Sequence, residues 1–379
     1  MAGILFFVSV IIILCIILNK ASSKVGMPML LAFILLGMIF GSDGLFKIKF
    51  EDYKSAESIC SIALIFIIFY GGFGTNLNAA KPVAVKAVLL STLGVVLTAV
   101  FTGLFCYFVL KFEILQSFLV GAVISSTDAA SVFSILRSKK LNLKYNSASL
   151  LEVESGSNDP FSYMLTIIVL SLMQGNASIG KMSYMLFAQI VFGLAIGYGI
   201  GSVAYYILNK FKFSSAGFDS LFVLAVAICS YAIPTLIGGN GYLSAYVAGL
   251  LLGNKKFQQK SNLVNFFDGI TGLMQMLIFF LLGLLASPSA MVHFILPSLA
   301  IALFITFVAR PVTIFAILAP MKCPINQQLL VSFTGLRGAA SIVFAIMAIT
   351  NKGYNSDFGL FHIVFCIVLF SITLQGSLI

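Results

Sequence analysis

The run Glu154-Ser155-Gly156-Ser157-Asn158-Asp159-Pro160 sets two carboxylates, two hydroxyls and an amide inside a stretch that otherwise reads as lipid-buried. On insertion scales an ionisable group at the centre of a membrane helix costs about 2.5–3.5 kcal/mol, so an acid held there reads as a functional site. Ser155 and Asp159 are four apart, as are Glu154 and Asn158, which makes two neighbouring stripes of one helix polar. Pro160 has no amide hydrogen, and its place in the helix frees the Gly156 carbonyl as a ligand. A hard cation takes oxygen ligands, and Asp159, the Ser155 hydroxyl and carbonyls near Thr127 supply them. A partly desolvated carboxylate also binds protons more tightly. One group that holds either a proton or a cation, but never both, couples two opposite fluxes.

Two further segments break the apolar pattern. Ser125-Ser126-Thr127-Asp128-Ala129-Ala130-Ser131 is poor material for a lipid-facing helix, and suits one that is interrupted and turns its carbonyls to an ion. Thr334-Gly335-Leu336-Arg337-Gly338-Ala339-Ala340-Ser341 places an arginine between two glycines at the same depth. Facing half-helix ends present partial charges of either sign. Asp128 is suited to neutralise N-termini and Arg337 C-termini; alternatively Arg337 pairs with Glu154. Either arrangement leaves Asp159 as the exchangeable carboxylate.

The elements that must position these groups are membrane helices. Of 379 residues, 60% are hydrophobic and 9% charged, with a mean hydropathy of +1.10. A soluble chain carries about 25% charged residues. Thirteen apolar segments fall at 3–18, 27–41, 58–74, 83–110, 114–137, 149–174, 183–209, 217–237, 240–253, 262–286, 290–319, 326–350 and 356–379. The expectation is therefore an all-α polytopic membrane protein of about 13 transmembrane helices. The two interrupted segments are the fifth of the first six and the fifth of the last six. That placement predicts inverted six-helix repeats with two crossing unwound helices, the seventh segment linking them.

The net charge of +10 would suggest nucleic acid in a soluble chain. Here the basic residues sit in short loops, so no nucleic-acid partner is expected and the partner is the lipid bilayer. More loop Lys and Arg come after odd-numbered segments, among them Arg137, Lys139, Lys140 and Lys144, while Asp43, Glu51, Asp52 and Asp357 fall on the other side. The positive-inside rule then puts the N-terminus outside and the C-terminus in the cytoplasm of a multi-pass cell (inner) membrane protein. Six cysteines are scattered singly and read as small hydrophobes, with neither a disulfide framework nor a resident metal, and no cofactor is expected. His293 and His362 read as interfacial residues, Asp268 and Arg310 as a pair of structural groups, and Pro311 as a kink. The last segment stops at Ile379 without a polar ending: either the chain ends at the bilayer surface or a C-terminal cytoplasmic regulatory region is missing.

These motifs resemble the monovalent cation/proton antiporter superfamily, in its NhaP-like sodium or potassium/proton branch. Residues 154–160 look like that branch's Asn-Asp signature. Ser126-Thr127-Asp128-Ala129-Ala130 and Gly335-Leu336-Arg337-Gly338-Ala339 resemble its two unwound-helix motifs. Phe267-Asp268-Gly269, Ala309-Arg310-Pro311 and the stretch from Gly241 to Asn254 add to the match, which spans nearly the whole chain. The resemblance implies the NhaA/NhaP-like antiporter fold, a homodimer, and exchange of K+ or Na+ for H+ by alternating access. It implies a dimerisation part at 1–76 and 217–286, a core ion-transport part at 83–174 and 290–379, and a linker helix at 183–209. It also implies Asp159 as the cation and proton carboxylate, Ser155 and the Thr127 backbone as ligands, Asn158 and Asp128 in support, and Glu154 with Arg337 as an ion pair. One departure is Tyr70, before Gly71-Gly72, where relatives often carry an acid. Two rivals fit less well. An intramembrane aspartyl protease would pair Asp128 with Asp159, but its Gly-x-Gly-Asp signature is absent and it has no need of Arg337; a cation channel has no need of a protonatable carrier.

Overall fold

Fourteen helices account for the apolar segments, in a computed structural model that describes residues 2–25, 28–128, 143–175, 178–211, 217–257, 260–354 and 358–378. They are α1 (Ala2–Val25), α2 (Met29–Phe40), α3 (Tyr53–Gly74), α4 (Leu77–Phe108), α5 (Ile114–Ile124), α6 (Ser147–Met173) and α7 (Ile179–Lys210). After these come α8 (Phe218–Leu236), α9 (Gly241–Gly253), α10 (Lys260–Leu285), α11 (Pro288–Leu318), α12 (Ile325–Phe333), α13 (Ala339–Thr350) and α14 (Leu360–Leu378). Six of them, α3, α4, α7, α8, α10 and α11, are long and apolar enough to cross a membrane. The polar run of α6 lowers its mean hydropathy and keeps it out of that set, although it is 27 residues long. The twelfth segment folds as two helices, α12 and α13, parted by 334–338. The continuation of the fifth segment beyond Asp128, with Arg137, Lys139 and Lys140, lies outside the described residues, as does Asp357.

The helices sort into two groups by what they touch. α9 packs on α3, α7 and α8, and α10 packs on α2 and α3. α4, α5 and α6 pack on one another, and α11 and α13 pack on α14. The groups meet chiefly where α3 lies on α13 and α9 on α6. In a bilayer, helix association gains little from hydrophobicity and relies on close backbone approach at small residues. Gly249 and Gly253 of α9 lie on the Phe69 and Phe73 carbonyls of α3, where any Cβ would overlap them. Gly193, Gly197 and Gly201 recur every four residues along α7 and face Asn240, Ser244 and Ala248.

Among the described residues two helices contain a π turn, at Leu90–Gly94 in α4 and at Ile305–Ala309 in α11. Each inserts a residue into the helical ladder and rotates the remainder of its helix. In α11 the turn stands directly before Arg310-Pro311, at the point where Pro311 cannot donate a backbone hydrogen bond.

Candidate functional site

The irregular chain after α5 and the break between α12 and α13 open their backbones at one place. α5 ends at Ile124 and continues as irregular chain through Asp128, and α12 ends at Phe333 before the break at 334–338. The two irregular strands cross: the Asp128 amide donates to the Leu336 carbonyl at 2.8 Å, and the Ser126 and Ser341 hydroxyls lie 3.3 Å apart. Backbone groups freed at a break must find partners inside the protein. α14 supplies them. Ser371 Oγ accepts from the Arg337 amide at 3.0 Å and donates to Gln375 Oε1 at 2.5 Å, while Gln375 Nε2 donates to the Phe333 carbonyl at 3.3 Å.

The charges at the crossing answer the half-helix ends. Arg337 Nη1 donates to the carbonyls of Ser125 and Ser126 at 2.9 and 2.7 Å, which lie at the negative C-terminal end of α5. The Asp128 side chain lies against Gly338, the residue that caps the positive N-terminus of α13. A Cβ at Gly338 would overlap the Asp128 carboxylate, so the glycine is required by that approach.

Beside this crossing lies a cavity of about 30 Å³, lined by Ser126, Thr127, Asp128, Asp159, Gln275 and Gly338 among others. About 10–15 Å³ of such space admits one water, so this cavity takes one or two water-sized occupants and nothing larger. Asp128 is near enough for its charge to act on Asp159, and Ser126 is within hydrogen-bonding reach of it. Leu64 and Ile67 of α3 and Phe279 of α10 add apolar lining.

The other residues singled out from the sequence take different places. Asn158 Nδ2 donates to Thr127 Oγ1 at 2.6 Å, and the Thr127 and Ser155 hydroxyls are 3.0 Å apart. Ser155 and Asn158 thus fasten α6 to the unwound strand, and Thr127 alone of these three also lines the cavity. Pro160 is accommodated through its own carbonyl, which accepts from Asn240 Nδ2 at 2.8 Å.

One expected pairing is corrected. Glu154 does not pair with Arg337. Its carboxylate, fully buried, lies 2.5 Å from Arg310 Nη2, because the π turn in α11 aims Arg310 inward at α6. Arg337 keeps the carbonyls of α5 instead, with Glu154 and Arg310 near enough to act on it electrostatically. Asp268 accepts a 2.5 Å hydrogen bond from the Tyr70 hydroxyl. Sequence reasoning missed three contributors. Ser126 lay inside the quoted motif but was given no role; Gln275 is an amide in an otherwise apolar run; and Arg310, read only as a structural group, was not matched to Glu154.

A separate cavity of about 430 Å³ lies between α7 and α8, among Gly199, Val203, Phe222 and Val226. Its walls are wholly apolar, so it offers nothing to an ion.

Known proteins share this architecture. The family described as sodium/hydrogen exchanger, transmembrane, matches residues 9–379. The K(+)/H(+) antiporter NhaP of Alkalimonas amylolytica is 38% identical over 375 residues, covering 99% of this chain and 64% of that protein. The K(+)/H(+) antiporter NhaP2 of Shewanella sp. strain ANA-3 is 34% identical, over 96% of this chain and 63% of its own length. The chain therefore spans a little under two thirds of these curated relatives. Among solved structures, the sodium proton antiporter MjNhaP1 of Methanocaldococcus jannaschii superposes with a TM-score of 0.86 at 24% identity, covering 98% of both chains. That likeness shows the same fold.

Proposed function

We propose, because this chain belongs to the sodium/hydrogen exchanger family, that it exchanges a monovalent cation, K+ or Na+, for protons across a membrane. One observation carries the reading: Asp159 lines a cavity of about 30 Å³ at the crossing of two interrupted helices, beside Thr127 and Ser126. A carboxylate there holds a cation or a proton, and a site that admits one or two water-sized occupants makes the two exclude each other. The named relatives above 30% identity are K(+)/H(+) antiporters, which makes K+ the first ion to assay.

In this reading the chain spans the membrane thirteen times, with the N-terminus outside and the C-terminus in the cytoplasm. The core of 83–174 and 290–379 carries Asp159 between the two faces. The parts at 1–76 and 217–286 form a homodimer scaffold, and α7 (183–209 in the sequence segments) links them. Two features recur in order in the two halves: a π turn in α4 and in α11, and next a helix that ends in irregular chain, α5 and α12. Their order supports an inverted repeat, and with it alternating access by movement of one body against the other.

The protease reading fits less well: Asp128 and Asp159 do share the cavity, but they follow Thr127 and Asn158, so the Gly-x-Gly-Asp signature is absent. A channel has no need of a protonatable carrier, and a carboxylate, Asp159, lines this cavity.

The test is ion-driven dequenching of a pH-sensitive dye in proteoliposomes, titrated with K+, Na+, Rb+ and Li+. Asp159→Asn is expected to abolish exchange while the protein stays folded and monodisperse. Undiminished cation-dependent proton flux in that variant would refute the assignment.

A further inference from the structure

The cavity has a wall from the opposite helix group. Gln275 reaches it from α10, which packs chiefly on α2 and α3. Among the described residues no hydrogen bond to the Gln275 amide is present. The face of α10 that holds Gln275 carries three polar side chains over two turns and is apolar beyond them. Asp268, Thr271 and Gln275 stand at spacings of three and four, so they share one stripe of the helix. The stripe begins in the open: Asp268 is exposed, and the Tyr70 hydroxyl of α3 holds its carboxylate at 2.5 Å. Midway, Thr271 Oγ1 is buried with no hydrogen-bond partner among the described residues. At the inner end stands Gln275, and Phe279 one turn further adds apolar lining.

A buried hydroxyl without a partner costs free energy and is uncommon. An unsatisfied hydroxyl and an unsatisfied amide in series, between an exposed carboxylate and an ion-sized cavity, are arranged as oxygen ligands for something that passes. All but the first are neutral. They can replace water around a cation without trapping it, which passage requires.

We propose that the Asp268–Thr271–Gln275 face of α10 is the route by which the cation reaches Asp159. Asp268 gathers cations at the mouth, Thr271 relays them, and the Gln275 carbonyl oxygen is the last ligand before Asp159. This rests on the reading of Asp159 as the transported-ion carboxylate. It adds a consequence that reading lacks. Gln275 belongs to the helix group that does not carry Asp159, so movement of one group against the other removes this ligand from the ion. Gln275 therefore strengthens cation binding in one access state and not in the other, which makes the apparent affinity differ between the two membrane faces.

The test is the apparent KM and Vmax for K+ and Na+ in everted and in right-side-out membrane vesicles. Wild type, Gln275→Leu, Thr271→Val, Asp268→Asn and Asp159→Asn are compared. Gln275→Leu is expected to raise KM about tenfold when the cation is offered from the Asp268 end, the size of one lost ligand to a charged group. From the other end KM is unchanged, and Vmax stays within about twofold, because the chemistry at Asp159 is intact. Thr271→Val, near-isosteric and harmless to folding, moves KM in the same direction. Asp268→Asn raises it by about threefold at low ionic strength and less at high salt, as a steering charge should. If Gln275→Leu and Thr271→Val leave KM unchanged on both faces, or lower Vmax at constant KM, the route is wrong. If Asp159→Asn itself retains exchange, the assignment of Asp159 falls first, so the two failures are distinguishable.

Discussion

Glu154 and Asp159 lie little more than one turn apart on α6, and the protein treats them in opposite ways. Glu154 is sealed from solvent against Arg310, within the electrostatic reach of Arg337. Asp159 lies on a cavity, with hydroxyls and a second carboxylate for neighbours. The first is a closed charge cluster with no room for an exchangeable ion. The second is open to an occupant. Membrane depth alone therefore does not mark a transport residue; what separates the two acids is whether a cation of the protein already occupies the place a transported one would take. The difference is set by rotation along one helix, since side chains five apart point more than a quarter turn away from each other.

The largest effect that would break this contrast is removal of the fixed pair. Glu154→Leu leaves Arg310 and Arg337 as two buried cations with no counter-charge between them. Breaking a buried pair from one side costs about 3–5 kcal/mol. The thermal midpoint in detergent is expected to fall accordingly, and exchange to fail with the fold. Replacing both partners by apolar residues of similar volume is often close to neutral. The double variant Glu154→Leu/Arg310→Leu should therefore recover most of the lost midpoint. A single variant as stable as wild type would show that Glu154 is no structural counter-ion.

A smaller effect sharpens the other side of the comparison. Gly338→Ala places a methyl group into the Asp128 carboxylate at the N-terminus of α13. Forcing one extra carbon into a close contact typically costs about 1–3 kcal/mol. The two irregular strands must move apart or Asp128 must swing toward Asp159. Exchange is expected to fall in Vmax while Glu154 and Arg310 keep the protein folded. Unchanged exchange with an unchanged midpoint would mean that Asp128 does not need its present position.

Much of this architecture is legible in the residues alone. The two interruptions are visible because Ser125 to Asp128 and Thr334 to Gly338 are the wrong residues for lipid, and bilayer physics forbids such runs except at a cavity. The polar stripes of Ser155, Asn158 and Asp159 come directly from helix spacing. The choice of partners does not. Arg310 reaches Glu154 only because a π turn rotates the end of α11, and nothing in Ile305–Ala309 announces one. Gln275 escapes notice for a different reason: a lone amide in an apolar run carries no charge to raise suspicion, and its role depends on which neighbouring helix it meets. Asp268 and Arg310 read from the sequence only as structural groups; their partners, on α3 and α6, are set by packing.

The smallest effect concerns a third carboxylate, exposed where the others are enclosed. Asp43, in the loop after α2, accepts from the Ser289 hydroxyl at 2.6 Å and from the Ser289 amide at 2.8 Å, at the start of α11. Those hydrogen bonds hold its carboxyl below the ordinary value of 3.8. A carboxylate with a lowered folded-state value contributes stability above its unfolded value and loses it as pH falls through the folded one. The contact is therefore complete at neutral and mildly acidic pH and weakens only below 3.8. Hydrogen exchange at the Ser289 amide reads it directly. Asp43→Ala should speed that exchange severalfold at pH 7 (about the effect of one exposed hydrogen bond) and leave cation/proton exchange at the wild-type rate. Were Asp43→Ala to reduce transport as Asp159→Asn does, the division of the acids by enclosure would fail, since the least enclosed of the three would then behave like the one on the cavity.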